Sequence, residues 1–377
     1  MAFEFIEHAL DARAQDALLR QRTCIEKATA RHIQVDGLKY LNFASNDYLG
    51  LADLTVSATF CAGSKSSALV TGYHRTHRQL EARLCQLLGY ERALLFASGF
   101  AANFSVLSAL FNDSKVGQVS AVFQDKLNHA SLIDGSLNSK AKLIRFNHND
   151  MGHLRARLEK SNAENKLVVS EGIFSMDGDG APLQALENLC QTHEAWLMVD
   201  DAHSFGVCGS NGLGSIESGV KPDILVITFG KAMGCQGAAV LASKRLIDYM
   251  LQFNREYTYS TAMSPALVEI ASTQLSRLCD GEEARSRLHT NIELFKRIAL
   301  DAGIPLQEST SAIQPIVLGS AENTLQAQQA LAKNGIWLTA IRPPTVPYNT
   351  ARLRVTLTAE HEKEDIEYLV RCLEDVL

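Results

Sequence analysis

Between about Leu94 and Ser243 the chain alternates short apolar runs with segments of helical periodicity. Short apolar runs separated by helices are typical of a mostly parallel sheet that is covered on both faces. The pattern therefore predicts a large α/β domain. The predicted strands are residues 93–97, 119–124, 143–146, 167–171, 196–200, 224–228 and 238–242. The helices predicted with them are residues 78–88, 100–111, 130–138 and 183–193.

After Ser243 the pattern changes to long helices followed by shorter strands, which predicts a second, smaller α+β domain. Two domains also agree with a chain of 377 residues. We place the limits at residues 1–40 for an N-terminal helix and small segment, 41–260 for the large domain and 261–377 for the small one. The predicted elements of the last segment are helices 265–279, 282–302 and 360–376 and strands 312–318 and 352–356.

Composition and charge exclude several classes of function. The net charge of −6 gives no basis for nucleic-acid binding. No stretch approaches the roughly 20 apolar residues of a membrane span, and residues 1–20 predict an amphipathic helix that docks on a neighbouring surface. The 8 cysteines are scattered without a C-x-x-C pair, which indicates free or buried thiols in a reducing compartment. We predict a cytoplasmic enzyme without a metal site.

Two polar residues follow predicted strands, where ligands of parallel sheets bind. Asp200 closes a buried strand, and a buried carboxylate is costly unless a partner neutralises it. Taken alone it is more commonly a cap or turn residue. His203, three positions later, is by itself more commonly a core histidine.

Lys231 follows another apolar strand and lies between Gly230 and Gly234. A lysine in a dry cleft has a destabilised ammonium and becomes a usable nucleophile and base. It is not a phosphate-loop lysine, because that motif needs Ser or Thr directly after the lysine and Gly six residues before it. Ala232 and Leu225 occupy those positions.

Two strand-to-helix junctions complete the pattern. Gly99 and Phe100 open a predicted helix, where free backbone N–H groups form an anion site. His129 places a flat ring at another junction. A lysine, a carboxylate and an anion cradle are what pyridoxal 5'-phosphate (PLP) needs for its aldehyde, its pyridine nitrogen and its phosphate. Together these residues predict a PLP site, although each is weak evidence alone.

Across almost its whole length the chain resembles the α-oxoamine synthases, a family of fold-type I PLP enzymes. The fold implied is that of the aspartate aminotransferases, with a large, mostly parallel seven-stranded sheet and a smaller C-terminal domain. Within the family, the likeness is greatest to the branch that acts in biotin synthesis. The resemblance is carried by residues 41–51, 94–103, 171–179, 199–203, 228–231, 259–261, 312–315 and 340–347.

The resemblance implies a role for each matching residue. Lys231 carries the cofactor as a Schiff base and moves protons, Asp200 pairs with the pyridine nitrogen, His203 reaches the phenolic oxygen and His129 stacks on the ring. The remaining cofactor contacts implied are Gly99, Phe100, Ser175, Thr228 and, across a homodimer interface, Ser260 and Thr261. The substrate contacts implied are Arg20, Asn46, Thr345 and Arg354.

The implied reaction joins L-alanine to a pimeloyl thioester, carried on coenzyme A or on acyl-carrier protein, with loss of carbon dioxide. Two alternatives stay open at this point. One is another family member, such as glycine C-acetyltransferase (2-amino-3-ketobutyrate CoA ligase). The other is a cofactor-free relative that acts as an interaction subunit. Ser260 and Thr261 also have a structural alternative, which is to cap the helix that begins near Pro265.

The chain departs from the family pattern at three places. Residues 63–69 replace a glycine-rich stretch, Ser204 and Phe205 replace Gly-Thr, and Cys235 and Gln236 differ between two glycines. A change in packing is the simplest explanation for Ser204 and Phe205.

Overall fold

The computed structural model of the chain describes residue 3, residues 5–55 and residues 61–377. Its strands are β1 (Lys27–Ala28), β2 (His32–Val35), β3 (Leu38–Asn42), β4 (Arg92–Phe96), β5 (Ser120–Asp125), β6 (Lys142–Phe146), β7 (Asn165–Glu171), β8 (Ala195–Asp200), β9 (Ile224–Thr228), β10 (Ala238–Ala242), β11 (Ile313–Gly319), β12 (Ile336–Trp337), β13 (Thr339–Ile341) and β14 (Ala351–Thr356).

The helices follow the same chain order. They are α1 (Phe5–Gln15), α2 (Arg75–Leu88), α3 (Gly99–Leu110), α4 (Ser114–Gln118), α5 (Ala130–Asn138), α6 (Met151–Glu159), α7 (Leu183–Thr192), α8 (Lys244–Phe253), α9 (Arg255–Tyr259), α10 (Pro265–Cys279), α11 (Glu282–Asp301), α12 (Ala321–Lys333) and α13 (Lys363–Val376), with a π-helical turn at Ala68–Gly72 and a 3₁₀ turn at Gly214–Ser218.

The described residues form two compact units. The sheet unit comprises residues 51–174 and 180–282, and the terminal unit comprises residues 1–50, 175–179 and 283–377. The domain limits predicted from the sequence, at residues 40 and 260, stay a prediction.

A seven-stranded sheet organises the sheet unit, in the order β4-β10-β9-β8-β7-β5-β6. Neighbouring strands from β9 to β6 are parallel, whereas β10 runs antiparallel to both β4 and β9. The prediction of a large, mostly parallel sheet is confirmed. Strands β9 and β10 and helix α5 have the predicted bounds, and the other predicted strands of this sheet differ by one or two residues at an end.

The core of the sheet unit lies between the sheet and the helices on its face. Helix α3 contributes the fully buried Val106 and Leu107, which cluster with Leu94, Met198 and Val226 from the strands. A fully buried side chain of this size contributes about 1.5–3 kcal/mol relative to its exposed state. Apolar packing therefore fixes the strands, and their carboxyl ends can carry costly polar residues.

The terminal unit contains a four-stranded sheet, β1-β2-β3-β12, and a three-stranded sheet, β11-β14-β13. Its packing includes the ring of His361 stacked on Phe43 at 4.2 Å and an ion pair between Arg31 and Asp365 at 2.7 Å. Burial lowers the pKa of His361 to about 4, so its imidazole is a neutral core group. Strand β14 is buried at every residue and bears Arg354.

The predicted N-terminal helix is present as α1, and it buries no side chain among the described residues. All 8 cysteines are free thiols. Within the described ranges no helix combines the length and apolar character that a membrane span requires.

Candidate active site

Asp200 is the last residue of β8 and is 5% exposed. Its Oδ2 accepts a hydrogen bond from Asn103 Nδ2 at 2.6 Å, and its Oδ1 accepts one from the backbone N–H of Ala202 at 2.9 Å. Both partners are neutral donors. These two hydrogen bonds hold the carboxylate in a defined orientation.

Asn103 links Asp200 to His129. Its amide group also donates to Ser131 Oγ at 3.0 Å, and that hydroxyl is 2.8 Å from His129 Nδ1. The backbone N–H of Ser131 donates to the same ring nitrogen at 3.3 Å, so Nδ1 is an acceptor and the ring proton of the neutral imidazole is on Nε2. Loss of hydration lowers the pKa of His129, and the charge of Asp200 opposes that shift.

Glu171 is a second buried carboxyl group of the site. It ends β7, where the parallel register pairs it with Asp200, and its Oε1 accepts the backbone N–H of His129 at 2.5 Å. Burial raises the pKa of Glu171 well above its usual value, and the charge of Asp200 raises it further. Two carboxylates so placed do not both ionise readily, so this pairing favours the protonated form of Glu171.

Lys231 lies in a tight turn between β9 and β10. The backbone N–H of Phe229 donates to the carbonyl of Gly237 at 2.8 Å, and that of Gly234 donates to the carbonyl of Lys231 at 2.8 Å. Gly234 has a φ of +61°, and a Cβ there would be 2.5 Å from the backbone nitrogen of Ala52. The turn is thus defined by its backbone. The positive charge of Lys231 adds to the lowering of the His129 pKa and opposes the rise of the Glu171 pKa.

The first turn of α3 forms an anion cradle with Thr228. Ser98 caps the helix by accepting the N–H of Ala101, whereas the N–H groups of Gly99 and Phe100 belong to the first turn, which has no intrahelical acceptors. A Cβ on Gly99 would be 2.5 Å from Thr228 Cγ2, and the buried Thr228 Oγ1 has no hydrogen-bond partner among the described residues. An orphaned hydroxyl beside free N–H groups fits the phosphate of PLP.

His203 lies in a turn that the neighbouring Asp201 fixes. Asp201 is fully buried and accepts hydrogen bonds from the backbone N–H of Ser215 at 2.8 Å and from the Ser215 hydroxyl. Burial raises the pKa of Asp201 to about 6, while its hydrogen bonds from Ser215 oppose that rise. Ser204 and Phe205 are both buried. A packing change at these two positions stays a prediction.

The terminal unit contains the predicted substrate residues. Arg354 Nη2 donates to Asn46 Oδ1 at 3.2 Å, while the buried Nε of Arg354 has no partner within the described residues. Arg20 Nη2 donates to Thr345 Oγ1 at 2.9 Å. Ser175 is buried in this unit. An arginine with an unsatisfied N–H is suited to bind a carboxylate.

The loop with Ser260 and Thr261 does not cap the next helix. Helix α10 has Ser264 at its N-cap, whereas Ser260 ends α9 and donates its hydroxyl to Glu256 at 3.1 Å. The capping alternative from the sequence is therefore wrong. Ser260 and Thr261 are exposed, and the preceding Tyr259 is 73% exposed.

Comparison with known families identifies the chain. A family model described as aminotransferase class I and II matches residues 39–373. The chain belongs to this family. Enzymes named 8-amino-7-oxononanoate synthase from Photobacterium profundum and Salmonella paratyphi C are each 44% identical to it. The alignment with the first relative covers 99% of this chain and 96% of that relative. The alignment with the second covers 98% of this chain and 97% of that relative. The resemblance inferred from the motifs is thereby confirmed.

Solved structures agree with the fold and the cofactor. A serine palmitoyltransferase from S. paucimobilis, with bound PLP–myriocin aldimine, aligns with a TM-score of 0.90 and 28% identity over 99% of this chain and 97% of that one. An 8-amino-7-oxononanoate synthase from Francisella tularensis aligns with a TM-score of 0.75 and 30% identity over 89% and 97% of the two chains. The predictions of a PLP-dependent enzyme and of its fold are confirmed.

Three buried residues that hold the predicted site residues in place were not predicted from the sequence. Asn103, Glu171 and Asp201 were seen only as members of motifs. A buried acid at the end of an apolar strand was a signal for Glu171, as it was for Asp200. Asn103 gave no signal of its own, because its position against Asp200 depends on how α3 packs on the sheet.

Proposed function

We propose that the chain catalyses the decarboxylative condensation of L-alanine with a pimeloyl thioester, giving 8-amino-7-oxononanoate, carbon dioxide and the free thiol carrier in biotin synthesis. One observation carries the proposal. Asp200 ends β8 and Lys231 follows the adjacent parallel strand β9, in a chain whose 44% identical relatives bear that enzyme's name. The roles below are proposals for individual residues.

The amine of Lys231 is the attachment point for the cofactor aldehyde and afterwards the base that takes the α-proton of the amino acid. PLP, when bound, draws the resulting negative charge into its protonated pyridine ring. Lys231 lies in a turn whose backbone hydrogen bonds fix the point from which its side chain starts. The charges of Lys231 and Asp200 both act on the pKa values of His129 and Glu171.

Asp200 keeps the proton on the pyridine nitrogen, because a nearby carboxylate favours the charged form of a base. Asn103 and the N–H of Ala202 hold the carboxylate in place through neutral hydrogen bonds, so its charge remains available. His203 binds the phenolic oxygen and His129 covers the ring. Gly99, Phe100, Thr228 and Ser175, with Ser260 and Thr261 from a partner subunit, complete the cofactor contacts.

Arg354 binds the carboxylate of L-alanine, supported by Asn46, which already accepts one of its N–H groups. The unsatisfied Nε of Arg354 supplies a further donor, and two parallel N–H donors recognise a carboxylate in a fixed geometry. Arg20 and Thr345, which are hydrogen-bonded to each other, contact the acyl substrate. L-Alanine and pimeloyl-CoA or pimeloyl-acyl-carrier protein are therefore the proposed substrates.

Turnover with matched substrates tests this function. The purified enzyme is supplied with L-alanine, glycine or L-serine against pimeloyl and acetyl thioesters, and products are identified by mass spectrometry. We expect 8-amino-7-oxononanoate from L-alanine and the pimeloyl donor to form fastest. Preferred turnover of glycine with acetyl-CoA would establish the glycine C-acetyltransferase activity instead. A protein without cofactor absorption would be an interaction subunit.

We also propose a homodimer in the cytoplasm. Support for the dimer comes from apolar and aromatic side chains that the described chain leaves exposed near the site elements, including Val70 at 72% and Tyr259 at 73%. Free thiols at all 8 cysteines support a reducing compartment. Sedimentation equilibrium of the holoenzyme tests the dimer.

A further inference from the structure

A basic groove runs along the free edge of the sheet in the sheet unit. It has a volume of about 770 Å³ and is bounded by β6, the C-terminal part of α6 and the segment that leads into β7. Five cations line it: Lys126, Lys142, Arg145, Arg157 and Lys160. Among the described lining residues, Glu164 alone carries a carboxylate. This concentration of positive charge is unusual for a chain whose net charge is −6.

The cations of the basic groove are not neutralised by acidic partners. Within the described part of the chain, none of the five forms an ion pair. Arg157 donates to His153 Nε2 at 3.0 Å, and Lys126 donates to Asn147 Oδ1 at 2.7 Å, so neutral contacts orient them. Lys142 and Lys160 are exposed, and no side-chain hydrogen bond engages either of them in the described ranges. Their positive charges face solvent.

Protection of the sheet edge explains only part of this pattern. β6 pairs with β5 alone, and charged side chains on an edge strand prevent pairing with other chains. Lys142 and Arg145, which lie on the strand, can serve that purpose. Arg157 lies on α6, Lys160 directly follows that helix, and Lys126 directly follows β5. Protection of the edge strand β6 therefore does not explain these three cations.

One end of the basic groove, at Lys126, lies at the carboxyl ends of the strands, as the candidate active site does, whereas the other end, with Lys142 and Lys160, lies at the amino ends of β5, β6 and β7. Lys126 directly follows β5, three residues before His129, and the side chain of Arg145 donates to the Lys126 carbonyl. Four strand spacings separate β6 from β9, which precedes Lys231, and they amount to about 19 Å. An acyl chain on a pantetheine arm must cross such a distance if its carrier binds at the groove.

We propose that the basic groove docks an acidic carrier protein that presents the acyl thioester on a pantetheine arm. The inference rests on the proposed function and names its acyl carrier. The cations are distributed along the whole of β6, about 16 Å, and over three elements. A nucleotide phosphate is bound by donors that converge on one point. Charges spread over this length complement the acidic face of a protein, and they act mainly on association and on its salt dependence.

The test compares the two carriers in charge-reversed variants. The double variant Lys142→Glu/Lys160→Glu reverses the charge of the two groove lysines whose side chains form no hydrogen bond within the described residues. Lys140→Glu/Arg155→Glu is the matched control, because it makes the same charge change at exposed positions that do not line the groove. Steady-state kinetics are measured with L-alanine and either pimeloyl-acyl-carrier protein or pimeloyl-CoA. Binding of fluorescently labelled, unloaded acyl-carrier protein is measured separately by anisotropy.

For the groove variant we expect KM for the carrier-protein substrate to rise about tenfold, with kcat retained and KM for pimeloyl-CoA changed less than about twofold. In the parent enzyme, raising the salt from about 0.05 M to about 0.3 M should weaken carrier-protein binding, and the variant should show a smaller dependence. Equal loss with both donors, equal loss in the control variant, or unchanged binding would each overturn the proposal.

The two proposals fail separately. Absence of turnover with L-alanine on both donors would overturn the proposed function. The anisotropy measurement would still decide the groove, because it needs no reaction. A parent enzyme that binds no carrier protein would overturn the groove alone.

Discussion

The amide nitrogen of Asn103 lies 2.6 Å from Asp200 Oδ2, and both residues are buried. The same amide group donates to Ser131 Oγ, and its own oxygen has no partner within the described residues. A flipped amide would place that oxygen against the carboxylate, so the two acceptors fix the orientation of Asn103. One buried side chain thereby positions the carboxylate proposed for the pyridine nitrogen and, through Ser131, the ring of His129.

Asn103→Leu should therefore slow the reaction without abolishing cofactor binding. It keeps the approximate size of the side chain and removes a hydrogen bond to a charged group, a contribution of about 1.5–3 kcal/mol. If that contribution is exerted in the transition state, kcat falls about 10- to 100-fold. The cofactor absorption spectrum across pH should also change, because the pyridine nitrogen loses its proton more easily. Asn138→Leu, which removes an exposed amide contact to Ser108, is the control.

Asp200→Asn tests the charge itself. The shape is kept, but the group that favours a protonated pyridine nitrogen is lost. We expect PLP to bind and kcat to fall by at least about 100-fold, because the missing stabilisation acts on the developing carbanion. The absorption spectrum reports cofactor binding and single-turnover kinetics report the proton transfer. Near-normal turnover would assign Asp200 a structural role only.

Lys231→Ala should remove covalent PLP attachment and all measurable turnover while leaving the fold intact. The reason is that no other amine emerges from the turn between β9 and β10. Circular dichroism checks the fold. Borohydride reduction of the parent enzyme, followed by peptide mapping, should place the label on Lys231. Lys140→Ala removes an exposed lysine and should behave as the parent. A label on a different lysine would refute the assignment.

The strands of the seven-stranded sheet could be predicted from the sequence for a physical reason. β9 and β10 are buried at almost every position, so their ends coincide with the change from apolar to turn residues. Asp200 ends a buried strand and Lys231 lies three residues after another, and charged side chains are unusual at such positions. The residue type and its position at the end of a strand were together sufficient to predict Lys231 and Asp200 as site residues.

The residues that were missed depend on neighbours that are distant in sequence. Glu171 matters because the strand order places β7 beside β8 in a register that pairs it with Asp200. Asp201 matters because the 3₁₀ turn returns Ser215 to its carboxyl group. The order of the strands and the contact of the 3₁₀ turn with Asp201 are both set by tertiary packing. No short stretch of sequence predicts either of them. The short strands β1, β2 and β3 were missed because they contain few consecutive apolar residues.

The buried Asp201 should make stability depend on pH. Burial raises its pKa from 3.8 to about 6, so the folded chain binds this proton more readily than the unfolded chain. Its stabilising contribution is therefore fully present below about pH 4 and is lost as the pH rises through about 6, a change of about 3 kcal/mol. In Asp201→Asn, the unfolding free energy relative to the parent should rise by about this amount between pH 4 and pH 8.

Urea unfolding of the parent and of Asp201→Asn at several pH values measures that difference. Asp375→Asn, which removes an exposed carboxylate near the C-terminus, controls for the loss of one charge. A difference between the Asp201 variant and the parent that is constant with pH would show that Asp201 has the same proton affinity in both states.

The shared-site dimer can be tested by mixing subunits. Ser260 and Thr261 are exposed in the single chain, and among the described residues their only side-chain hydrogen bond is that of Ser260 with Glu256. Such residues are available to complete the site of a partner. A Lys231→Ala chain is combined with a Ser260→Ala/Thr261→Ala chain, or with a loop variant disabled more severely if that one retains activity. Each homodimer then has two damaged sites.

In a two-fold dimer with shared sites, the mixed species places both lesions in one site and leaves the other intact. Random exchange makes half of the dimers mixed, and half of their sites are functional, so activity should recover to about a quarter of the parent value. Exchange is verified by mass spectrometry of subunits with different tags. Without shared sites, each mixed dimer contains one site lacking Lys231 and one lacking the loop hydroxyls, and no site is whole. Activity that stays at the level of the separate variants after complete exchange would therefore show that each chain supplies its own Ser260 and Thr261.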